Sequence, residues 1–115
     1  MELLRGQMNQ PLEYTVQEVA ALLKSGTPPR LVDVRELPEW NIARLDGARL
    51  ISQELLDEML DGWEKETPIV CYCHHGIRSR SAALFLRQQG FVNTRSMSGG
   101  IDAWAREIDP QLARY

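Results

Sequence analysis

Pro68-Ile69-Val70-Cys71-Tyr72-Cys73-His74-His75-Gly76-Ile77-Arg78-Ser79 changes character in its middle. Residues 68–72 are a near-continuous apolar run, the signature of a strand buried on both faces. Gly76 supplies the φ freedom of a tight loop. From Ser79 to Gln89 the pattern turns helical, with Ala82, Ala83, Phe85 and Leu86 available for packing and Gly90 as the stop. A buried strand, a short loop and a helix in that order belong to a parallel α/β sheet, whose ligands sit beyond the carboxyl ends of the strands. Residues 73–78 lie at that place.

The neighbouring segments repeat the alternation. Thr15-Val16-Gln17-Glu18 reads as a capping box, followed by Val16, Val19, Ala20 and Leu23 at helical spacing and a stop at Gly26. Leu31 to Val34 is a short strand interrupted by Asp33, and Pro38 to Asn41 is one helical turn. Ala48 to Ile51 is a further strand. Ser52 caps a helix with Leu55, Leu56, Met59 and Leu60 inward, ending at Gly62. Thr94 to Met97 is the last strand, and Gly99-Gly100 opens a helix with Ile101, Trp104 and Ala105 inward. The class is α/β with a mostly parallel sheet.

At 115 residues the chain fits a single domain, large enough to bury a core without disulfides or a structural metal. Apolar content of 43% and charged content of 25% place it among soluble globular proteins. A net charge of -3 points away from nucleic-acid and anionic-membrane partners. The longest apolar run, Pro68 to Cys73, is far too short to cross a bilayer. Met1 to Gln10 has no apolar core of a secretory signal, so a cytoplasmic protein is expected. The two cysteines, Cys71 and Cys73, stand too close in one strand to staple the chain.

Charge is segregated. Glu54 to Glu66 carries six acidic residues against Lys65, whereas Thr67 to Ile101 carries none. That second stretch holds Arg78, Arg80, Arg87, Arg95 and both histidines, so a positive field favouring an anionic substrate is expected around the loop. A thiol at the exit of a buried strand, before a helix N-terminus and beside Arg78, meets conditions that favour thiolate. Converging loop N–H groups would hold the same negative charge. Cys73 meets these conditions. Cys71, inside the apolar run, reads as a small buried hydrophobe.

Three segments together resemble the rhodanese family of sulfurtransferases. Ile69 to Ser79 is similar to the family's active-site loop, whose catalytic Cys stands three residues before the loop Gly, which selects Cys73. Leu31-Val32-Asp33-Val34-Arg35-Glu36 with Glu39-Trp40 is similar to its first signature, and Ser98-Gly99-Gly100-Ile101-Asp102-Ala103-Trp104 to its C-terminal one. Gly47-Ala48 lies where the family places a Gly-Ala before its second strand. The family often has His-Ile-Pro in place of Arg44-Leu45-Asp46, a change in a connecting turn that should leave the chemistry intact. The resemblance runs from about Thr15 to Trp104. It implies a three-layer α/β/α fold around a mostly parallel sheet of about five short strands. The domain is expected to be 1–115 with its core at about 13–107, and Met1 to Leu12 has no counterpart.

The resemblance also implies a chemistry. Cys73 would attack a small anionic sulfur donor such as thiosulfate, become a persulfide, and yield the sulfur to cyanide or a thiol, with no metal and no organic cofactor. His74, His75, Gly76, Ile77 and Arg78 would bind the donor, with Asp33, Arg35 and Ser79 in support. The histidines act either through their rings or only through backbone N–H groups. Arg78, a cation at a helix N-terminus, implies a bound anion or a carboxylate partner. Asp33 is expected to satisfy backbone donors, and Arg35 to pair with Glu36 or Glu39. Trp40, Trp63 and Trp104 read as packing residues.

Three rivals follow from the same residues. A phosphatase or arsenate reductase typically needs five residues between Cys and Arg. Here four separate Cys73 from Arg78 and six separate Cys71 from it. A metal module using Cys71, Cys73, His74 and His75 would crowd its ligands at one strand end. A sulfur-carrier or regulatory domain with little turnover, working with a sulfur-accepting protein partner, fits the sequence as well.

Overall fold

The computed structural model describes residues 10–115, so the reading of the N-terminal stretch as lacking a secretory signal lies almost wholly outside the described residues. Ten elements alternate along it: β1 (Glu13–Tyr14), α1 (Val16–Leu23), β2 (Arg30–Asp33), α2 (Leu37–Ile42), β3 (Arg49–Leu50), α3 (Gln53–Gly62), β4 (Ile69–Tyr72), α4 (Ile77–Gln88), β5 (Thr94–Met97) and α5 (Gly100–Glu107). The strands form one sheet in the order β1-β5-β4-β2-β3, and every neighbouring pair is parallel.

Side-chain alternation along the strands divides the core into two halves. Leu31, Val70 and Tyr72 face one side, where they meet Val16 and Val19 of α1 and Ile101 and Ala103 of α5. Val32, Ile69 and Cys71 face the other, against Leu55 and Met59 of α3, Leu86 of α4, and Phe91. The result is the expected three layers. β4 is buried at every position, as its unbroken apolar run requires.

Local chemistry sets the helix ends. Thr15 Oγ1 accepts from Glu18 N at 3.1 Å and Glu18 Oε1 accepts from Thr15 N at 3.0 Å, the reciprocal capping box read from the sequence. Ser52 Oγ accepts from Leu55 N at 3.0 Å and starts α3. The first helix ends at Leu23, before Gly26, where Ser25 Oγ donates to Leu22 O and turns the chain early.

Two inward assignments are corrected. Phe85 is 44% exposed because the buried positions of α4 are Ser79, Ala83, Leu86 and Arg87, a stripe that leaves Phe85 on the opposite side. Leu60 is 38% exposed because Leu55 and Met59 already fill the inner face of α3. No described helix is long and apolar enough to cross a membrane.

The topology places the site. From β2 the chain moves outward to β3 on one side, and from β4 it moves to β5 on the other. The carboxyl ends of β2 and β4 therefore flank the point where the winding direction reverses, the usual ligand crevice of an open parallel sheet. Asp33 and Arg35 leave β2 there, and Cys73 leaves β4 there.

Candidate active site

The loop after β4 is held from outside by α5. Ile101 N donates to Cys73 O at 2.9 Å and Asp102 N donates to His74 O at 3.1 Å. The helix N-terminus thus takes up the loop's carbonyls. Gly100 makes this approach possible, since a Cβ there would collide with the carbonyl groups of Cys73 and His74. Gly76, at φ +103, then reverses the chain into α4 with its own N–H aimed inward.

Inside that loop sits the Cys73 sulfur. Gly76 N donates to Sγ at 3.1 Å, and Ser79 Oγ lies 3.5 Å away. Burial alone would push this thiol up. The Ser79 hydroxyl and the N–H groups of Ser79, Gly76 and Arg78 outweigh it, and the Cys73 thiol is held below its ordinary value. Ser79 Oγ is in turn 2.7 Å from Ser96 Oγ on β5, so two buried hydroxyls line up behind the sulfur. Cys71, fully enclosed among apolar groups, is pushed up to about 12 by burial, with Cys73 adding to the effect. The two thiols thus differ in environment: burial pushes Cys71 up, while the hydroxyl and N–H groups around Cys73 bring it down.

Asp33 and Arg35 form a buried floor beside the loop. Both side chains are wholly enclosed, and Arg35 NH2 lies 2.6 Å from Asp33 Oδ2. Arg35 Nε donates to Asp33 Oδ1 at 2.9 Å, NH2 also reaches Ala43 O, and NH1 reaches Glu39 O and Tyr115 Oη. Burial opposes the Arg35 charge, and the bonds to Asp33 and Tyr115 outweigh it, raising its pKa. The expected partner of Arg35 is corrected: its carboxylate is Asp33, not Glu36 or Glu39. Glu36 lies exposed before α2, and the Glu39 carboxylate is taken by another arginine. Asp33 does accept one backbone donor, Arg35 N at 3.0 Å.

That other arginine is Arg78. Its NH1 and NH2 donate to Glu39 Oε1 and Oε2 at 2.8 and 3.0 Å, the carboxylate partner that its place at a helix start implied. Tyr115 Oη donates to Glu39 Oε2 at 2.7 Å. The Arg78 guanidinium, foremost, brings the Glu39 carboxyl down to about 2.

The loop's other side chains form the rim. His74 stacks on Tyr115 with ring centroids 3.9 Å apart and 12° between planes, and on its other neighbour, His75, at 3.9 Å and 33°. Ile77 is 79% exposed at the first position of α4. Among the described residues, His74, His75 and Asp102 form a cluster of metal-ligating groups, and neither cysteine belongs to it. Asp102 is already engaged by Arg106 and Arg114 at 3.1 Å each.

The expected positive field is smaller than the arginine count suggests. Arg87 and Arg95 are buried at the amino-terminal end of the sheet, away from Cys73. There they bind Gln10 and Pro11, and Arg87 also holds Thr94 O. Sequence reasoning missed Ser96 and Tyr115. A serine inside a fully buried strand was the available signal for Ser96, whereas Tyr115 carries no local pattern.

The fold and the site together define a parallel α/β domain with a low-pKa thiol, enclosed by loop N–H groups, after its central strand. The chain belongs to the rhodanese-like domain family, whose profile matches residues 15–107. It is 36% identical over 103 residues to the probable adenylyltransferase/sulfurtransferase MoeZ of Mycobacterium tuberculosis, covering 88% of this chain and 26% of that protein. It is 35% identical over 85 residues to the thiosulfate sulfurtransferase GlpE of Actinobacillus succinogenes, covering 74% of this chain and 77% of that one. The chain thus spans about a quarter of the first relative and about three-quarters of the second. A rhodanese-like domain protein of Staphylococcus aureus superposes with a TM-score of 0.71 at 25% identity, over 90% of this chain and 97% of that one.

Proposed function

We propose that the protein is a sulfurtransferase that moves a sulfane sulfur from a small anionic donor such as thiosulfate to cyanide or a thiol, through a persulfide on Cys73. The observation that carries this reading is the thiol at the loop centre, held below its ordinary pKa by Ser79 and by loop N–H groups.

In the first step the Cys73 thiolate attacks the outer sulfur of thiosulfate. The new S–S bond forms as the old one breaks, and sulfite leaves with the bonding pair. The product is a Cys73 persulfide anion, whose charge the same N–H groups and the Ser79 hydroxyl hold. In the second step cyanide or a thiolate attacks the outer sulfur and frees the Cys73 thiolate. His74, His75, Gly76, Ile77 and Arg78 surround the entering donor, while Asp33 and Arg35 brace the loop's neighbour strand. The names of the relatives, with sulfurtransferase in each, support the same activity.

The test is steady-state formation of thiocyanate from thiosulfate and cyanide. The expected result is parallel double-reciprocal lines for the wild type and at least a ~1000-fold loss in Cys73→Ser, as for removal of a nucleophile. Intersecting lines, or full activity in Cys73→Ser, would overturn the proposal. A second reading is favoured by the span of MoeZ that this chain matches: a sulfur-carrying domain that hands its persulfide to a partner protein. It predicts a Cys73 persulfide that forms fully but turns over slowly on small acceptors.

A further inference from the structure

The loop's one arginine already holds a carboxylate, with which an entering donor must share it. Both terminal nitrogens of Arg78 are spent on Glu39. Glu39 is in turn fixed by four contacts: Arg78 NH1 and Glu36 N on Oε1, Arg78 NH2 and Tyr115 Oη on Oε2. It is a preorganised group, not a side chain that swings aside at no cost.

Other charged groups around the loop are paired as well, although Arg106 and Arg114 share one carboxylate and leave a net positive charge on that side. Arg35 is buried against Asp33. Arg106 and Arg114 hold Asp102, which also lies 4.0 Å from His75 Nε2. Arg80 is exposed, two positions beyond Arg78 and thus about 200° around α4 at roughly 100° per residue. Asp33 and Arg35 beneath the loop, and Glu39 and Arg78 at its rim, therefore sum to no net charge beside the lowered Cys73 thiol.

A dianionic donor and a persulfide meet this mouth differently. Thiosulfate brings two negative charges beside Glu39, and the loop's own guanidinium, Arg78, is already paired with that carboxylate. The persulfide of a thiol brings the same sulfane sulfur with less charge at its reacting end, none in the protonated form R–S–SH that the Cys73 thiolate attacks. Its transfer balances without a cation: the Cys73 thiolate takes the outer SH to give Cys73–S–SH, and RS⁻ departs with the electron pair of the broken S–S bond.

We propose that Glu39 is a specificity-determining residue, which disfavours doubly charged sulfur donors relative to persulfides by occupying Arg78. Thiosulfate then competes with the Glu39 carboxylate for one guanidinium, and the outcome appears in its KM. The inference rests on the sulfur-transfer reading given above.

The experiment measures kcat and KM for sulfur loading from thiosulfate and from freshly prepared cysteine persulfide, in the wild type and in Glu39→Gln. The amide keeps the size and one acceptor of the carboxylate but removes its charge. The expected result is a thiosulfate KM about tenfold lower, with a change of less than about threefold for the persulfide, so that selectivity moves toward the dianion. The gain should vanish in Glu39→Gln/Arg78→Gln, because it works through the freed arginine. Should Glu39→Gln unfold, Arg78→Gln decides: it leaves an unpaired carboxylate at the mouth and should raise the thiosulfate KM about tenfold relative to the persulfide. Sulfur loaded with unchanged selectivity in these variants would overturn this inference alone. No sulfur on wild-type Cys73 from either donor would overturn the sulfur-transfer reading, and this inference with it.

Discussion

At the scale of single residues, the groups that lower the Cys73 thiol have different visibility in the sequence. Gly76 and Ser79 follow it within six positions, so the loop that surrounds the sulfur is written next to it. Ser96 is 17 positions from Ser79, and Glu39 is 39 from Arg78. These depend on tertiary placement. The sequence implied that Arg78 has a carboxylate or an anion as partner, because a lone cation at a helix start is unfavourable. Which carboxylate it was required the fold. The Ser79 hydroxyl yields a prediction at this scale. The thiolate is the reactive form, and its lowered pKa keeps it populated below the ordinary thiol value, with reactivity lost as pH falls through the folded value. The pH midpoint of Cys73 alkylation by iodoacetamide should therefore lie below that of a free cysteine thiol measured alongside. It should move upward in Ser79→Ala, which removes one of the groups that lower the thiol. A midpoint that stays put in the variant would show that Ser79 does not stabilise the thiolate.

At the scale of elements, β4, its loop and α4 are the part most plainly legible, because a doubly buried strand must be apolar throughout and a tight loop needs its glycine. The capping box of α1 and the Ser52 N-cap of α3 were equally plain, since they are local hydrogen-bond patterns. β1 was not read: Glu13 and Tyr14 form a two-residue edge strand whose pairing with Ser96 and Met97 has no periodic signature. The inward face of α4 was blurred by Phe85, apolar but on the wrong side of the stripe. The strand-end pair of β2 yields a prediction here. Among the described residues, Asp33 is the only carboxylate against the Arg35 guanidinium, and neither side chain reaches solvent. Asp33→Ala leaves a buried charge unpaired and should cost about 3–5 kcal/mol in urea unfolding. A loss below about 1 kcal/mol would mean that the carbonyl oxygens of Glu39 and Ala43, with Tyr115, are enough to hold Arg35.

At the scale of the whole molecule, the sheet separates two cysteines that stand two positions apart. Cys71 points into the half of the core shared with Leu55, Met59, Leu86 and Phe91. Cys73 lies past the strand end, where the N-termini of α4 and α5 converge on the loop. The sheet also sorts the arginines that the sequence showed only as one basic stretch. Arg78 stands at the site, while Arg87 and Arg95 lock residues 10 and 11 to the far end of the sheet. The charge on the site is therefore a property of the fold and not of local composition, which explains why a count of arginines overstated it. The division between the two thiols is the centre of the account. The most direct measurement is intact and peptide-level mass spectrometry of the protein after treatment with thiosulfate. The account predicts one added sulfur atom on Cys73, absent in Cys73→Ser and retained in Cys71→Ser. Sulfur on Cys71, or on neither cysteine, would contradict it.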